Sequence, residues 1–371
     1  MSPWKAAKIA DSIDQIDTPA LILDLDAFEK NLSSIMESLS GTSVRLRPHA
    51  KSHKCPEIAL RQLTMGAIGI CCQKVSEAAC FVEHGIHDIL ITNQVVGSTK
   101  LHHLMALARR AKIGVLVDHI EQVQALAQAA TTYGVSLDVY VEVDVGAGRC
   151  GVPAGEQAAG LAKAVHHALG LNFAGLQCYH GKAQHLRTPM ERSDAISQAV
   201  KAAVKSRQAI ESIGIAVPII TGAGTGSFVL ERDSGVFGEI QAGSFVFMDR
   251  DYADNLRDAN SPVFDHALFV LTSVMSINQP DKVVVDAGLK ASSVDSGMPV
   301  IWQRPGLQYL KASDEHGVVT LPHGENLSLG ERLWLIPGHC DPTVNLYDDL
   351  ICVRDGKVEA IWPISARGAV L

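Results

Sequence analysis

No segment of this 371-residue chain is long and apolar enough to span a bilayer. Its first 17 residues, MSPWKAAKIADSIDQID, lack the apolar core of a signal peptide. Both absences make the cytoplasm the expected compartment. Positive charge is in deficit too: 32 Lys and Arg stand against 40 Asp and Glu, a net charge of −8. That balance speaks against nucleic acid or an anionic membrane surface as a partner, because either needs a basic face. No CxxC pair occurs, so neither a zinc ribbon nor a thioredoxin-like site is expected. The eight cysteines, at positions 55, 71, 72, 80, 150, 178, 340 and 352, fall mostly in apolar runs and read as buried free thiols.

What is present is an ordinary globular balance, 47% hydrophobic and 19% charged, in a chain long enough for a large domain plus a smaller one. From residue 44 to about 246 eight short apolar runs alternate with amphipathic helical stretches: VRLRPHAK, AIGICCQ, DILITNQ, KIGVLVD, LDVYVEVD, FAGLQCYH, PIITGAG and EIQAGSF. Parallel strands covered on both faces read as continuous apolar runs, so the pattern predicts a (β/α)8 TIM barrel. A doubly wound open sheet is the alternative, since counting strands does not prove closure. After residue 262 the rhythm changes to short β-rich runs separated by Gly, Pro, Asp and Asn turns, which predicts a C-terminal all-β domain. The expected division is an N-terminal segment, 1–20, packing with the β domain, the barrel at 21–255, and the β domain at 256–371, with the boundary inside 250–265. The run TPALILDLD (18–26) precedes the first barrel strand and could join the second domain.

Barrel enzymes build their sites at the C-terminal ends of the strands. Several runs here end in polar residues: His49 and Lys51, Gln73, Asn93, Asp118, Asp144 with Arg149, and Tyr179 with His180. A lysine in such a place, beside His49 and His53, can lose its proton and form an imine with an aldehyde cofactor. The glycines of TGAGTGS (Gly222, Gly224, Gly226), with Thr225 and Ser227, would let backbone N–H groups approach a phosphate. An imine-forming lysine and a phosphate loop at one barrel mouth suggest pyridoxal phosphate. In PGHCDPT, His339 and Asp341 would alternate along an extended segment and point to one side, a pair suited to Mn²⁺, Mg²⁺, Co²⁺ or Zn²⁺. Cys340 would point away into the β domain. The other reading of that motif is a turn with a satisfied polar histidine.

The segments RPHAKSHK, CCQKVSEA, VDVGAGRCGV, YHGKAQH, TGAGTGS, QAGSFVFMD, VVDAGLK, DEHGVV and PGHCDPTVN, in this order, resemble the D-threonine aldolase group. That group also holds 3-hydroxy-D-aspartate aldolases and eukaryotic-type D-serine dehydratases. The resemblance implies a fold-type III pyridoxal-phosphate enzyme, alanine-racemase-like and homodimeric, with the cofactor carried by Lys51 as a Schiff base. It implies a divalent metal (Mn²⁺, Mg²⁺ or Co²⁺) on His339 and Asp341, phosphate contacts from Gly224, Thr225, Gly226 and Ser227, and Arg149 and Tyr179 near the cofactor ring. Gln73, at its strand end, is counted with the cofactor-binding residues, and His185 matches a base near the substrate hydroxyl. The implied reaction is carbon–carbon cleavage of a D-3-hydroxy amino acid, threonine or 3-hydroxyaspartate, to glycine and an aldehyde. A dehydratase giving ammonia and a keto acid is the alternative; those enzymes resemble a His-x-Cys pattern, and here Cys340 stands one position too early. A non-catalytic pyridoxal-phosphate carrier would lack the β domain and the PGHCD motif, and a racemase would need a tyrosine motif that the β domain does not display. A second substrate carboxylate would call for a cation, with Lys182, Arg187 and Arg250 as candidates.

Overall fold

The apolar runs become parallel strands in the computed structural model, which describes residues 4–258 and 260–371. Residues 1–3 of the expected N-terminal segment and residue 259 of the expected boundary lie outside the described residues. After a first strand, β1 (Ala20–Asp24), come the eight barrel strands β2 (Arg45–Leu46), β3 (Ile70–Cys72), β4 (Asp88–Gln94), β5 (Lys112–Val117), β6 (Leu137–Glu142), β7 (Leu171–Cys178), β8 (Ile220–Gly222) and β9 (Glu239–Ile240). Neighbouring strands run β2-β9-β8-β7-β6-β5-β4-β3. Between β2 and β3 the ring is closed by Ile68 N–H to Leu46 O, 3.0 Å, and Cys71 N–H to Pro48 O, 2.9 Å, with His49 facing Cys71. The sheet therefore closes as the expected barrel and not as an open doubly wound sheet.

Local signals explain the connecting helices. Leu25–Leu39 is capped by Asp24, whose carboxylate accepts the Ala27 N–H at 3.0 Å, and it buries Phe28, Leu32, Ile35 and Leu39 at helical spacing. Pro189–Ser212 begins on a reciprocal cap between Thr188 and Glu191, with Pro189 in the first turn. Among the described residues no helix is long and apolar enough to cross a membrane.

The C-terminal sheet contains β10 (Leu268–Gln279), β11 (Lys282–Val285), β12 (Val300–Ile301), β13 (Gln308–Ala312), β14 (Gly317–Thr320), β15 (Arg332–Ile336), β16 (Asp349–Arg354) and β17 (Lys357–Pro363). Its order is β13-β14-β11-β10-β1-β16-β17, with β15 between β10 and β12. β1 is thus a member of this sheet, antiparallel to β10 and parallel to β16. One apolar cluster runs from Phe28, Phe228 and Phe245 on the barrel side to Val270, Leu335, Cys340 and Trp362 on the sheet side. That continuous burial fixes the β domain over the barrel mouth.

Candidate active site

Lys51 follows β2 on a short 3-10 turn, Ala50–Ser52, capped by His49, whose Nδ1 accepts the Lys51 N–H at 3.3 Å. Its side chain reaches a cavity also lined by His49, Gln73, Thr92, Arg149, Gln177, Tyr179, Gly224, Thr225, Gln241, Gly243, Ser244 and Tyr252. The walls are held by polar contacts. The Gln73 amide donates to Thr92 Oγ1 at 3.2 Å and stands 3.0 Å from His49 Nε2, while His49 Nε2 is 2.9 Å from Thr92 Oγ1. Burial pushes the His49 pKa well below the ordinary imidazole range, so this ring is neutral. Below it, Gln177 and Gln241 exchange hydrogen bonds of 3.0 and 2.7 Å, and the chain continues through Thr221 and Glu239 to Arg47. His53 does not reach the cavity: it is buried, accepts the Cys55 N–H at 3.1 Å and packs edge-on against Phe81.

The β domain approaches Lys51 through the PGHCD motif. Arg250 N–H donates to Pro337 O at 3.1 Å and Asp251 N–H to Gly338 O at 3.3 Å, which seats PGHCD against the barrel segment that follows β9. Gly338 is required there, since a Cβ would stand 2.1 Å from Gly297 O. The motif is not extended as the sequence suggests. His339 caps a short helix, Cys340–Val344, and Asp341 lies in its first turn, where Pro342 is well tolerated. The side chains still converge, with His339 Nε2 3.9 Å from Asp341 Oδ2, and Cys340 is fully buried as expected. Asp341 forms an ion pair with the Lys51 ammonium. Burial alone would raise the Asp341 carboxyl and lower the Lys51 amine; their mutual attraction outweighs it and moves both the other way. The segment between the domains also carries Asp249, fully buried, which accepts the Cys340 N–H at 2.9 Å and the Tyr252 N–H at 3.0 Å.

Residues 224–225 and 243–244 line one side of the cavity. Among the described residues, none of the backbone N–H groups of Gly224, Thr225, Gly243 and Ser244 has a hydrogen-bond acceptor. Close approach depends on glycine: a Cβ on Gly224 would lie 2.6 Å from Gln184 Oε1, and one on Gly243 would lie 2.6 Å from His49 O. Four unpaired N–H donors in the cavity that Lys51 lines fit a phosphate-bearing aldehyde. Gly226 and Ser227 are committed elsewhere. Gly226 N–H donates to Gln184 Oε1 at 2.9 Å, and the Ser227 hydroxyl lies between the Gln184 amide and Glu231.

Arg149 extends toward the cavity with its guanidinium 4.0 Å from Glu142. Asp144 accepts the N–H groups of Gly146 and Gly148, each at 3.0 Å, and Asp118 accepts that of Gly151 at 3.0 Å, so these carboxylates shape the loop that carries Arg149. Asp118, Glu142 and Cys150 form a loose acidic cluster there. The amides of Gln122 and Gln94 already bind its two carboxylates, which suits loop support better than an ion. His180 caps the turn Gly181–His185. At its end the His185 ring bonds through Nδ1 to Asp251, whose other oxygen binds Arg187, and lies 6.0 Å from the Tyr252 ring. Arg250 is spent on Asp254 and Met298 O, and Lys182 is exposed. Asp249, Asp251, Tyr252, Gly243, Ser244 and Asp295 (bonded to His339) went unnoticed in the sequence.

Two family models match: alanine racemase, N-terminal domain, over residues 23–251, and a putative serine dehydratase domain over 267–353. A D-threonine aldolase from Arthrobacter sp. is 51% identical over 98% of this chain and 96% of its own length. A 3-hydroxy-D-aspartate aldolase from Paracoccus denitrificans is 44% identical over 95% and 93%. The crystal structure of D-threonine aldolase from Filomicrobium marinum superposes with a TM-score of 0.97 at 48% identity, covering 99% of this chain and all of that one. Matched along the whole chain and built as an alanine-racemase-type barrel joined to a β domain, the protein belongs to the D-threonine aldolase family of pyridoxal-phosphate-dependent carbon–carbon lyases.

Proposed function

We propose that the protein cleaves D-3-hydroxy amino acids to glycine and an aldehyde, using pyridoxal phosphate on Lys51 and a divalent metal on His339 and Asp341. The observation that carries this reading is the ion pair between Lys51, which lines the barrel cavity, and Asp341 of the β domain, whose carboxylate stands 3.9 Å from His339 Nε2. The cofactor supplies an electron sink for the bond broken at Cα, and the metal a Lewis acid at the β-hydroxyl. The chain's own groups do the positioning and the proton work. The N–H groups of Gly224, Thr225, Gly243 and Ser244 would hold the phosphate, and Arg149, Tyr179 and Gln73 would hold the ring. Burial raises the Tyr179 phenol, which therefore stays protonated and acts as a donor. Because Asp251 can only accept from His185, the ring proton sits on Nδ1 and Nε2 is left to take the proton of the β-hydroxyl. With Asp at 341 and Cys340 fully buried one position too early, the motif supports a His-x-Asp ligand pair and hence an aldolase over a dehydratase.

Arg187 is neutralised by Asp251, and Arg250 faces Asp254, which favours an uncharged substrate side chain such as that of D-threonine over a second carboxylate. The proposal includes a homodimer, checked by sedimentation of the loaded protein. The test of function is product analysis with D-threonine and D-3-hydroxyaspartate in the presence of Mn²⁺. Glycine with acetaldehyde or glyoxylate is expected, faster from D-threonine; ammonia and a keto acid without glycine would make the protein a dehydratase.

A further inference from the structure

We propose that Asp295 is the positioning residue of the metal site, fixing through His339 Nδ1 which ring nitrogen faces the ion. The inference rests on the reading of His339 and Asp341 as metal ligands. The sequence around it, ASSVDSG, is a turn-rich loop between β11 and β12, without periodicity to single out a functional carboxylate. The fold lays this loop against PGHCD. Asp295 Oδ2 accepts from His339 Nδ1–H at 2.8 Å. An ionised carboxylate only accepts, so the imidazole proton is held on Nδ1 and the lone pair on Nε2. Nε2 is the nitrogen that faces Asp341, 3.9 Å from Oδ2, so the two side chains that would hold the ion converge.

The carboxylate is itself fixed. Ser293 Oγ donates to its Oδ1 at 2.8 Å and Ser296 Oγ to its Oδ2 at 3.2 Å. The loop is tied to the ligand helix as well: Ser293 N–H donates to Thr343 Oγ1 at 3.2 Å, and the Thr343 hydroxyl donates to His339 O at 2.8 Å. Gly297 O also packs closely against Gly338, which holds the loop of Asp295 beside His339. An isolated exposed pair of this kind would do little, but a carboxylate behind a ligating histidine orients the ring and raises its basicity toward the ion.

The experiment is an Mn²⁺ titration of the pyridoxal-phosphate-loaded protein, with free Mn²⁺ read by electron paramagnetic resonance, for wild type, Asp295→Asn, Asp295→Ala and His339→Ala. Asp295→Ala is expected to weaken Mn²⁺ binding about 10- to 100-fold. Asp295→Asn, which keeps an acceptor oxygen without the charge, should fall between it and wild type. The cofactor absorbance and the unfolding midpoint without metal should not change in either variant. Mn²⁺ affinities within twofold of wild type would overturn the role of Asp295 while leaving the metal site standing. A loss matched by a lower metal-free midpoint would make Asp295 structural and also overturn it. If wild type binds no better than His339→Ala, the metal site fails and this role with it.

Discussion

Glu231 lies behind the glycine-rich TGAGTGS loop, 1% exposed, on the helix Phe228–Asp233. Its Oε1 accepts the Ser227 hydroxyl at 2.9 Å, and among the described residues Oε2 has no partner. Burial raises its pKa from 4.5 to about 7 despite that hydrogen bond. The folded state thus holds a proton that the unfolded chain releases, so this group's stabilising contribution is fully present below pH 4.5 and lost as the pH rises through about 7. At roughly 1.36 kcal/mol per pKa unit, ionised Glu231 costs about 3 kcal/mol at pH 8.5. Glu231→Gln mimics the protonated side chain and should recover that amount at pH 8.5 but only about 1 kcal/mol at pH 5, where the unfolded glutamate is only partly ionised. Taking about 2.1 cal/mol/K of unfolding entropy per residue, the gain at pH 8.5 corresponds to roughly 4 °C in Tm. Thermal unfolding of both proteins at the two pH values reads it. Equal shifts at both pH values, or destabilisation at pH 8.5, would refute the reasoning.

Inside the barrel, Arg47 pairs with the buried Glu239 at 3.1 Å and with Asp88 at 2.6 Å. Arg47→Met strands the Glu239 charge and should cost about 3–5 kcal/mol by chemical unfolding, most of it recovered by adding Glu239→Gln. Asp251→Asn should lower kcat about 10²- to 10³-fold with KM changed less than about threefold, because the amide no longer enforces the Nδ1–H tautomer of His185. A KM effect as large as the kcat effect would instead make Asp251 a substrate-binding group, by steady-state kinetics with D-threonine.

The barrel was legible because parallel strands buried on both faces must be apolar throughout, and runs such as KIGVLVD admit few other readings. The place of Lys51 at the cavity was legible because polar residues at the ends of such runs have little structural purpose. β14, four residues between tight turns, was not singled out as a strand. The convergence of His339 and Asp341 was anticipated through the wrong geometry: alternation along a strand and the first turn of a capped helix both bring their side chains together. Asp251 and Tyr252 escaped notice because they sit in a four-residue helix, Arg250–Ala253, and Asp295 because it sits in a loop, both too short or irregular for periodicity to carry information. Their partners are also distant, 66 positions away for Asp251 and His185 and 44 for Asp295 and His339. The commitment of Ser227 to Glu231 and Gln184 was invisible for the same reason, since a glycine-rich motif does not reveal which of its groups face the cavity.

Everything proposed for this site depends on the amine of Lys51. Borohydride reduction of the pyridoxal-phosphate-loaded protein, followed by peptide mass mapping, tests it most directly. The expected result is a single pyridoxyl-phosphate adduct on the peptide containing Lys51, absent from Lys51→Ala. An adduct on Lys54 or Lys182, or full labelling of Lys51→Ala, would contradict it.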